Sequence, residues 1–175
     1  MCKDSIEEKL DSVFSNVNDW LKFAEQKNAA LLVLNGGIVW GMTRVLSQVD
    51  KLALVSYWSS LAGYIVLVCS AIICVISFLP ILEEKWFKPD AKKSSDNCFY
   101  FADIAKYSKS DYLALLSARL EIDSYKATPY EIDLSSQIVT NAEIALDKYK
   151  KFKLASSLTV FAVILFSVSI GFHYF

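Results

Sequence analysis

The residue types that do chemistry are scarce in this chain, and their spacing assembles no reactive centre. Its single histidine, His173, lies near the end of the sequence and reads as a polar side chain at headgroup level. The four cysteines, Cys2, Cys69, Cys74 and Cys98, form no CxxC pair and no Cys/His ligand set. Cys69 and Cys74 sit inside an apolar run, where a thiol behaves as a small hydrophobe. There is no Gly-rich phosphate loop and no nucleophile elbow, and Glu83–Glu84 reads as a solvated pair of charges at a membrane exit. The chain is therefore read as no enzyme, with no cofactor and no metal.

The more informative polar residues are those embedded in apolar sequence. Asn35 stands in the middle of such a run, where an amide is costly and normally faces a partner or a cavity. Gly37 and Gly41 form a GxxxG, which permits close helix approach in lipid. Ser56, Gly63, Ser70 and Ser77 recur every seven residues, along one face of a helix, and Ser167 and Gly171 repeat the small-xxx-small spacing. Two readings stand side by side. Either these positions serve helix packing, or they line an aqueous path once several copies assemble. Outside the apolar runs, Lys92 and Lys93 lie near Phe99, Tyr100 and Tyr107, a set able to meet a phosphate and a base; the alternative is a solvated loop beside core aromatics.

The elements that position these residues follow from composition. The chain has 175 residues, 54% hydrophobic, and a mean hydropathy of +0.35, above the usual soluble range. The apolar excess is segregated into three blocks. Residues 29–46 form a marginal first span, which carries Asn35 and Arg44 against the roughly 20 apolar residues a span needs. Residues 57–82 and 154–175 contain no charge before Glu83 and after Lys153 and are read as the second and third spans. The formal net charge of −1 offers no field for nucleic acid. The polar start, Met1 to Glu8, has no apolar h-region after it, so the spans themselves direct insertion.

Orientation follows from lysine near the span ends. Lys85, Lys88, Lys92 and Lys93 follow the second span, and Lys148, Lys150, Lys151 and Lys153 precede the third. Residues 83–153 are thus expected in the cytosol together with residues 1–28, with the N-terminus inside. Tyr57, Trp58, Trp86, His173 and Tyr174 suit an interfacial belt. Ser5 and Glu8 fit a capping box, and Ile6, Leu10, Val13, Val17, Trp20 and Ala24 form a heptad seam, so one amphipathic helix is expected from about Ser5 to Leu46. Thr128-Pro129-Tyr130-Glu131 is a helix start, with Leu134, Ile138, Ala142, Ala145, Tyr149 and Phe152 as its apolar stripe, and this helix is expected to continue through the third span. Lys88 to Asn97 reads as a polar loop. Residues 98–105 suit either a short strand or a turn of helix, and residues 110–119 read as a helix with Tyr112, Leu115 and Leu116 inward. The fold class is an all-α membrane protein: three transmembrane helices, with long helices extending into a small cytosolic helical bundle.

Three segments, Ala24-Glu25-Gln26-Lys27-Asn28 leading into Leu31–Gly37, Phe101-Ala102-Asp103-Ile104-Ala105, and Gln137-Ile138-Val139-Thr140-Asn141 with Ile144-Ala145 and Lys148-Tyr149, resemble in order and spacing the Pycsar transmembrane effector family. The resemblance covers the chain from about residue 20 onward. It implies an anti-phage membrane effector of the inner membrane. A partner nucleotide cyclase makes a cyclic pyrimidine nucleotide, cCMP or cUMP, as the activating ligand, and the effector impairs the membrane so that the infected cell dies. By similarity, Glu25, Lys27, Asn35, Gln137, Asn141 and Lys148 become candidates for ligand binding or gating; the spacing itself offers Gly37, Gly41, Gly63, Ser70 and Ser77 for packing or pore lining in a homo-oligomer within the lipid bilayer. The alternatives are a structural membrane scaffold and an effector triggered by a protein rather than by a nucleotide.

Overall fold

The computed structural model describes residues 2–48, 53–79, 87, 89–122 and 125–174, with side chains from Ile6 to Phe172 among them. The side chains of Ser5, His173 and Tyr174, and residues Lys51, Glu83, Glu84, Lys85, Trp86 and Lys88, lie outside what is described. The architecture is helical: α1 (Cys2–Leu46), α2 (Leu54–Phe78), the single turn α3 (Phe101–Ile104), α4 (Lys109–Arg119) and α5 (Pro129–Tyr174). The chain divides into two compact units, one of Met1–Ala24 with Ile81–Tyr149 and the other of Glu25–Pro80 with Lys150–Phe175.

In the first unit the heptad seam of α1 is the floor of the core. Ile6, Leu10, Val13 and Val17 are buried and pack with Ile138, Ala142 and Ala145 of α5, with Phe101 and Ile104 of α3, and with Tyr112, Leu113 and Leu116 of α4. Each fully buried aliphatic side chain contributes roughly 1.5–3 kcal/mol. Leu113, not Leu115, faces inward beside Tyr112, because α4 begins at Lys109 and its buried stripe runs 112, 113, 116. Trp20 lies against Phe101 at 5.4 Å, and Phe101 stacks on Tyr149 at 4.9 Å. Residues 98–105 contain a helical turn rather than a strand, since Phe101, Ile104 and Ala105 all reach the same core.

Local chemistry sets the helix ends. At the start of α5 the Glu131 carboxylate accepts from the Thr128 backbone N–H at 2.6 Å and from its hydroxyl at 2.8 Å, while the Glu131 N–H donates to Thr128 Oγ1. This is the reciprocal capping box, with proline at the first helical position. Leu79 precedes Pro80 and is extended (φ −65°, ψ 139°), because a following proline disfavours helical backbone. α2 accordingly ends at Phe78, short of the residue 82 boundary read from hydropathy. α4 ends in a Schellman turn: the Ile122 N–H donates to the Ser117 carbonyl and the Glu121 N–H to that of Ala118. The left-handed position of that turn is occupied by Glu121, at φ 53°, where glycine is the low-cost residue. Glu121→Gly is therefore expected to stabilise the first unit by about 0.5–1 kcal/mol, read as a raised Tm, whereas Glu121→Ala keeps the strain and gains nothing.

In the second unit, α1, α2 and α5 each carry a segment long and apolar enough to cross a membrane. Its polarity is inverted relative to a soluble bundle. Val33, Trp40, Leu54, Trp58, Ile72, Val160, Ile164 and Phe172 are exposed, while Asn28, Asn35, Ser56, Ser60, Ser70, Thr159 and Ser169 are buried. Apolar faces turned outward around a polar interior need hydrocarbon as solvent. The protein is an all-α membrane protein with three transmembrane helices.

Candidate functional site

The second unit holds a polar seam, built on α1, α2 and α5. Asn35 is 1% exposed. Its Nδ2 donates to Ser70 Oγ at 3.0 Å, and Thr159 Oγ1 donates to its Oδ1 at 2.8 Å. The Ser70 hydroxyl donates to the Ala155 carbonyl at 2.8 Å and lies 2.9 Å from Thr159 Oγ1. Each hydroxyl has one proton, and these three bonds use both hydroxyl protons and one amide proton without conflict. The network thus links all three spanning helices and is satisfied inside a single chain. Further along α2, Ser60 and Ser169 share a hydrogen bond, and Ser169 Oγ donates to the Ser56 carbonyl at 2.8 Å.

The every-seventh stripe faces this interior: Ser56, Ser60, Gly63, Leu67, Ser70, Cys74 and Ser77 are all buried. At Gly63 the Phe166 ring of α5 lies directly against the α2 backbone. A Cβ there would lie 2.8 Å from Cε1 of Phe166. Gly37 and Gly41 differ. A Cβ at either meets nothing within 4 Å, as at Gly171, so neither marks a tight helix approach among the described residues, and Gly41 borders an open groove with Val163 and Phe166 of α5. Ser167 is exposed, and its hydroxyl donates back to the Val163 carbonyl. Lys27 places its ammonium 5.5 Å from the centre of the Phe152 ring, and Glu25 is exposed.

In the first unit, Asn141 Nδ2 donates to Asn18 Oδ1 at 2.8 Å, tying α5 to α1. Gln137, four residues earlier, is exposed. Lys148 and Asp147 are buried, and Asp147 accepts the Phe87 N–H at 3.2 Å. The structure thus brings Asn35 together with Ser70 in the second unit and pairs Asn141 with Asn18 in the first.

The loop from Pro89 to Tyr100 is held by a cluster that spacing alone did not reveal. Asp96 accepts from Lys106 Nζ at 2.7 Å, from the Lys93 N–H at 2.8 Å and from the Tyr107 hydroxyl at 3.1 Å. Asp103 accepts from Lys106 at 2.6 Å and from the Asn97 N–H. Arg119 donates to the carbonyls of Ser94 and Asp96. The bond from Lys106, helped by the Lys93 N–H, lowers the Asp96 pKa to about 2, and the two carboxylates raise that of Lys106. Lys92 is committed to Asp111 at 2.6 Å and lies over the Tyr107 ring, while Phe99 and Tyr100 are exposed. Of the two readings of Lys92 and Lys93, the structure shows a clamped loop rather than an assembled phosphate-and-base pocket. A cavity of about 770 Å³ does lie nearby, walled by Tyr107, Lys109, Leu113 and Ala114 on one side and by Tyr125, Val139, Thr140 and Glu143 on the other. Among the described residues, no three His, Cys, Asp or Glu side chains converge as a metal site.

Sequence reading missed Thr159, Ser60 and Ser169, whose signal was available as isolated hydroxyls in otherwise apolar spans. It also missed the Asp96–Lys106–Asp103 clamp, whose members are ordinary surface types until folded.

Residues 9–173 match the Pycsar effector protein domain family. A Pycsar effector protein from a Rhizobium species is 33% identical over 147 residues, 82% of this chain and 82% of its own length. A Pycsar effector protein of Propioniciclava tarda is 26% identical over 141 residues, 79% of this chain and 65% of its own length. No solved structure matches the chain. The match takes in all three spanning helices, the polar seam and the loop clamp, and the chain belongs to the Pycsar effector protein family.

Proposed function

We infer that this protein is an anti-phage effector of the bacterial inner membrane, activated by a cyclic pyrimidine nucleotide, cCMP or cUMP, from a partner cyclase, and that it kills the infected cell by breaching that membrane. The observation that carries this reading is the family match over residues 9–173. The first unit lies in the cytosol with the N-terminus, and copies of the chain assemble in the bilayer. In the resting state the Asn35–Ser70–Thr159 network satisfies itself, so each bundle is sealed. A ligand shifts this state only through differential affinity for another one. In the activated state the three helices separate, and their amide and hydroxyl groups, too costly to leave in hydrocarbon, face a shared wet path among several copies.

The test is dye entry into cells expressing the protein, using a dye that intact membranes exclude, with and without supplied cCMP or cUMP. Nucleotide-dependent entry is expected; intact membranes with either nucleotide, despite confirmed membrane expression, would refute this trigger. Asn35→Leu refines the test. Ser70 keeps its bond to the Ala155 carbonyl, and Thr159 has the same carbonyl at 3.1 Å as a fallback. The resting state should lose only about 0.6–2 kcal/mol, while the open path loses an amide. A folded protein that no longer admits dye is expected. Full toxicity in a folded Asn35→Leu protein would remove Asn35 from the gate.

A further inference from the structure

We propose that the cavity between α4 and the start of α5 is the pocket for the activating ligand, and that it selects a cyclic nucleoside monophosphate by its single negative charge. This rests on the nucleotide reading above and assigns it a site. The cavity, at about 770 Å³, lies within the roughly 300–1,000 Å³ of small-molecule pockets. Its lining combines an apolar floor, including Leu113, Ala114 and Val139, with two aromatic rings, Tyr107 and Tyr125, and a few polar groups at the edge. That division suits a nucleoside, whose base has a π face and whose sugar and phosphate are polar.

The charge inventory narrows the ligand class. Lys109 is the cation of the lining and Glu143 its carboxylate. Lys109 forms no ion pair among the described residues, whereas its neighbour Lys92 is spent on Asp111. Ser108 and Ser110 place hydroxyls beside Lys109, and Ser108 Oγ already caps α4 by accepting the Asp111 N–H. One ammonium can neutralise one phosphate charge. Further negative charge on a ligand would find no second cation among the described residues of this lining. Abundant nucleoside triphosphates are disfavoured because most of their charge would stay without a partner there. Linear monophosphates, doubly charged at neutral pH, are disfavoured for the same reason.

The location also explains how occupancy reaches the spans. Val139, Thr140 and Glu143 belong to α5, the helix that carries Thr159 further along. Asn141, between Thr140 and Glu143, makes the bond to Asn18 of α1. A ligand that draws this stretch of α5 towards α4 acts directly on the α1–α5 contact.

The experiment is calorimetric titration of the full chain in lipid nanodiscs with cCMP, cUMP, 5′-CMP and CTP, for the unaltered protein and for Ala114→Trp, Lys109→Glu and Lys109→Arg. Ala114 is exposed on α4, so tryptophan there fills the cavity without entering the core, and thermal melts confirm folding. Ala114→Trp and Lys109→Glu are each expected to weaken cCMP or cUMP binding at least about tenfold, while Lys109→Arg stays within a few-fold, because it preserves the charge. The unaltered protein should bind 5′-CMP and CTP at least about tenfold more weakly than its cyclic ligand. Binding by the unaltered protein that neither Ala114→Trp nor Lys109→Glu reduces would place the site elsewhere and overturn this inference alone. An unaltered protein that binds no cyclic nucleotide would overturn both the site and the nucleotide reading.

Discussion

Gly63→Val is expected to unfold at a clearly lower temperature than the unaltered protein, and Gly41→Val is not. At Gly63 the added Cβ meets three atoms of one ring, Cε1, Cδ1 and Cζ of Phe166, at 2.8, 3.0 and 3.1 Å. Phe166 is buried and packs edge-on against Tyr64 at 5.1 Å. Either the ring shifts towards the groove it shares with Gly41 and Val163, or α2 and α5 move apart. Overpacking of this kind costs about 1–3 kcal/mol, and the branched valine adds atoms beyond Cβ. Separating α2 from α5 also strains the Ser60–Ser169 bond and the Ser70–Ala155 bond, which depend on the same approach. At Gly41 nothing lies within 4 Å of the added atom, so the single chain absorbs the substitution. The check is thermal unfolding in detergent for both variants and for Gly63→Val combined with Phe166→Leu. The smaller, more pliable residue should restore part of the loss, a coupling expected only of side chains in contact. Equal melting of the Gly63 and Gly41 variants, with no recovery in the double variant, would contradict the α2–α5 packing described above.

Lys106→Met should melt the first unit at neutral pH and be partly rescued by acid, the reverse of the unaltered protein. Lys106 is nearly buried and lies between two carboxylates, Asp96 at 2.7 Å and Asp103 at 2.6 Å. Its removal leaves two like charges close together with little solvent, and breaking one partner from a buried ion pair is among the most damaging single changes. A Tm lower by roughly 10 °C at pH 7.5 is expected. The pH dependence fixes the cause. In the unaltered protein the folded pKa of Asp96 is depressed from 3.8 to about 2, first by the Lys106 bond and then by the Lys93 N–H. Its contribution is present above 3.8 and is lost as pH falls through that window towards 2. Without the ammonium the two carboxylates repel each other, and Asp96 is expected to bind a proton more readily folded than unfolded. Lys106→Met should therefore gain stability as pH falls from 7.5 towards 4.5, where the unaltered protein gains none from this cluster. Near-UV circular dichroism melts at the two pH values decide it. A variant whose loss is the same at both would show that Lys106 acts through packing of its stem and not through charge.

The long elements of this protein are legible in its residues alone. A seam repeating at 4 and 3 residues from Ile6 to Ala24, and a proline–glutamate helix start at Pro129, produce uninterrupted helices because nothing in either run competes with helical backbone. Uncharged apolar runs mark the spans, since lipid admits only backbone that satisfies itself. The resemblance in three short segments carried the family. Other features emerge only when distant segments meet. Seven-residue spacing put Ser56, Gly63, Ser70 and Ser77 on one face, but whether that face met its own chain or another depended on Phe166 and Thr159, far away in sequence. The two glycine patterns look alike as strings, yet Gly63 is crowded while Gly37 and Gly41 stand open, because close approach is a property of two helices and not of one. Likewise Asp96, Asp103 and Lys106 read as solvated charges until the loop folds over Tyr107 and removes their water. Periodicity records which residues share a face; burial and hydrogen-bond partnership are set by what the rest of the chain brings to that face.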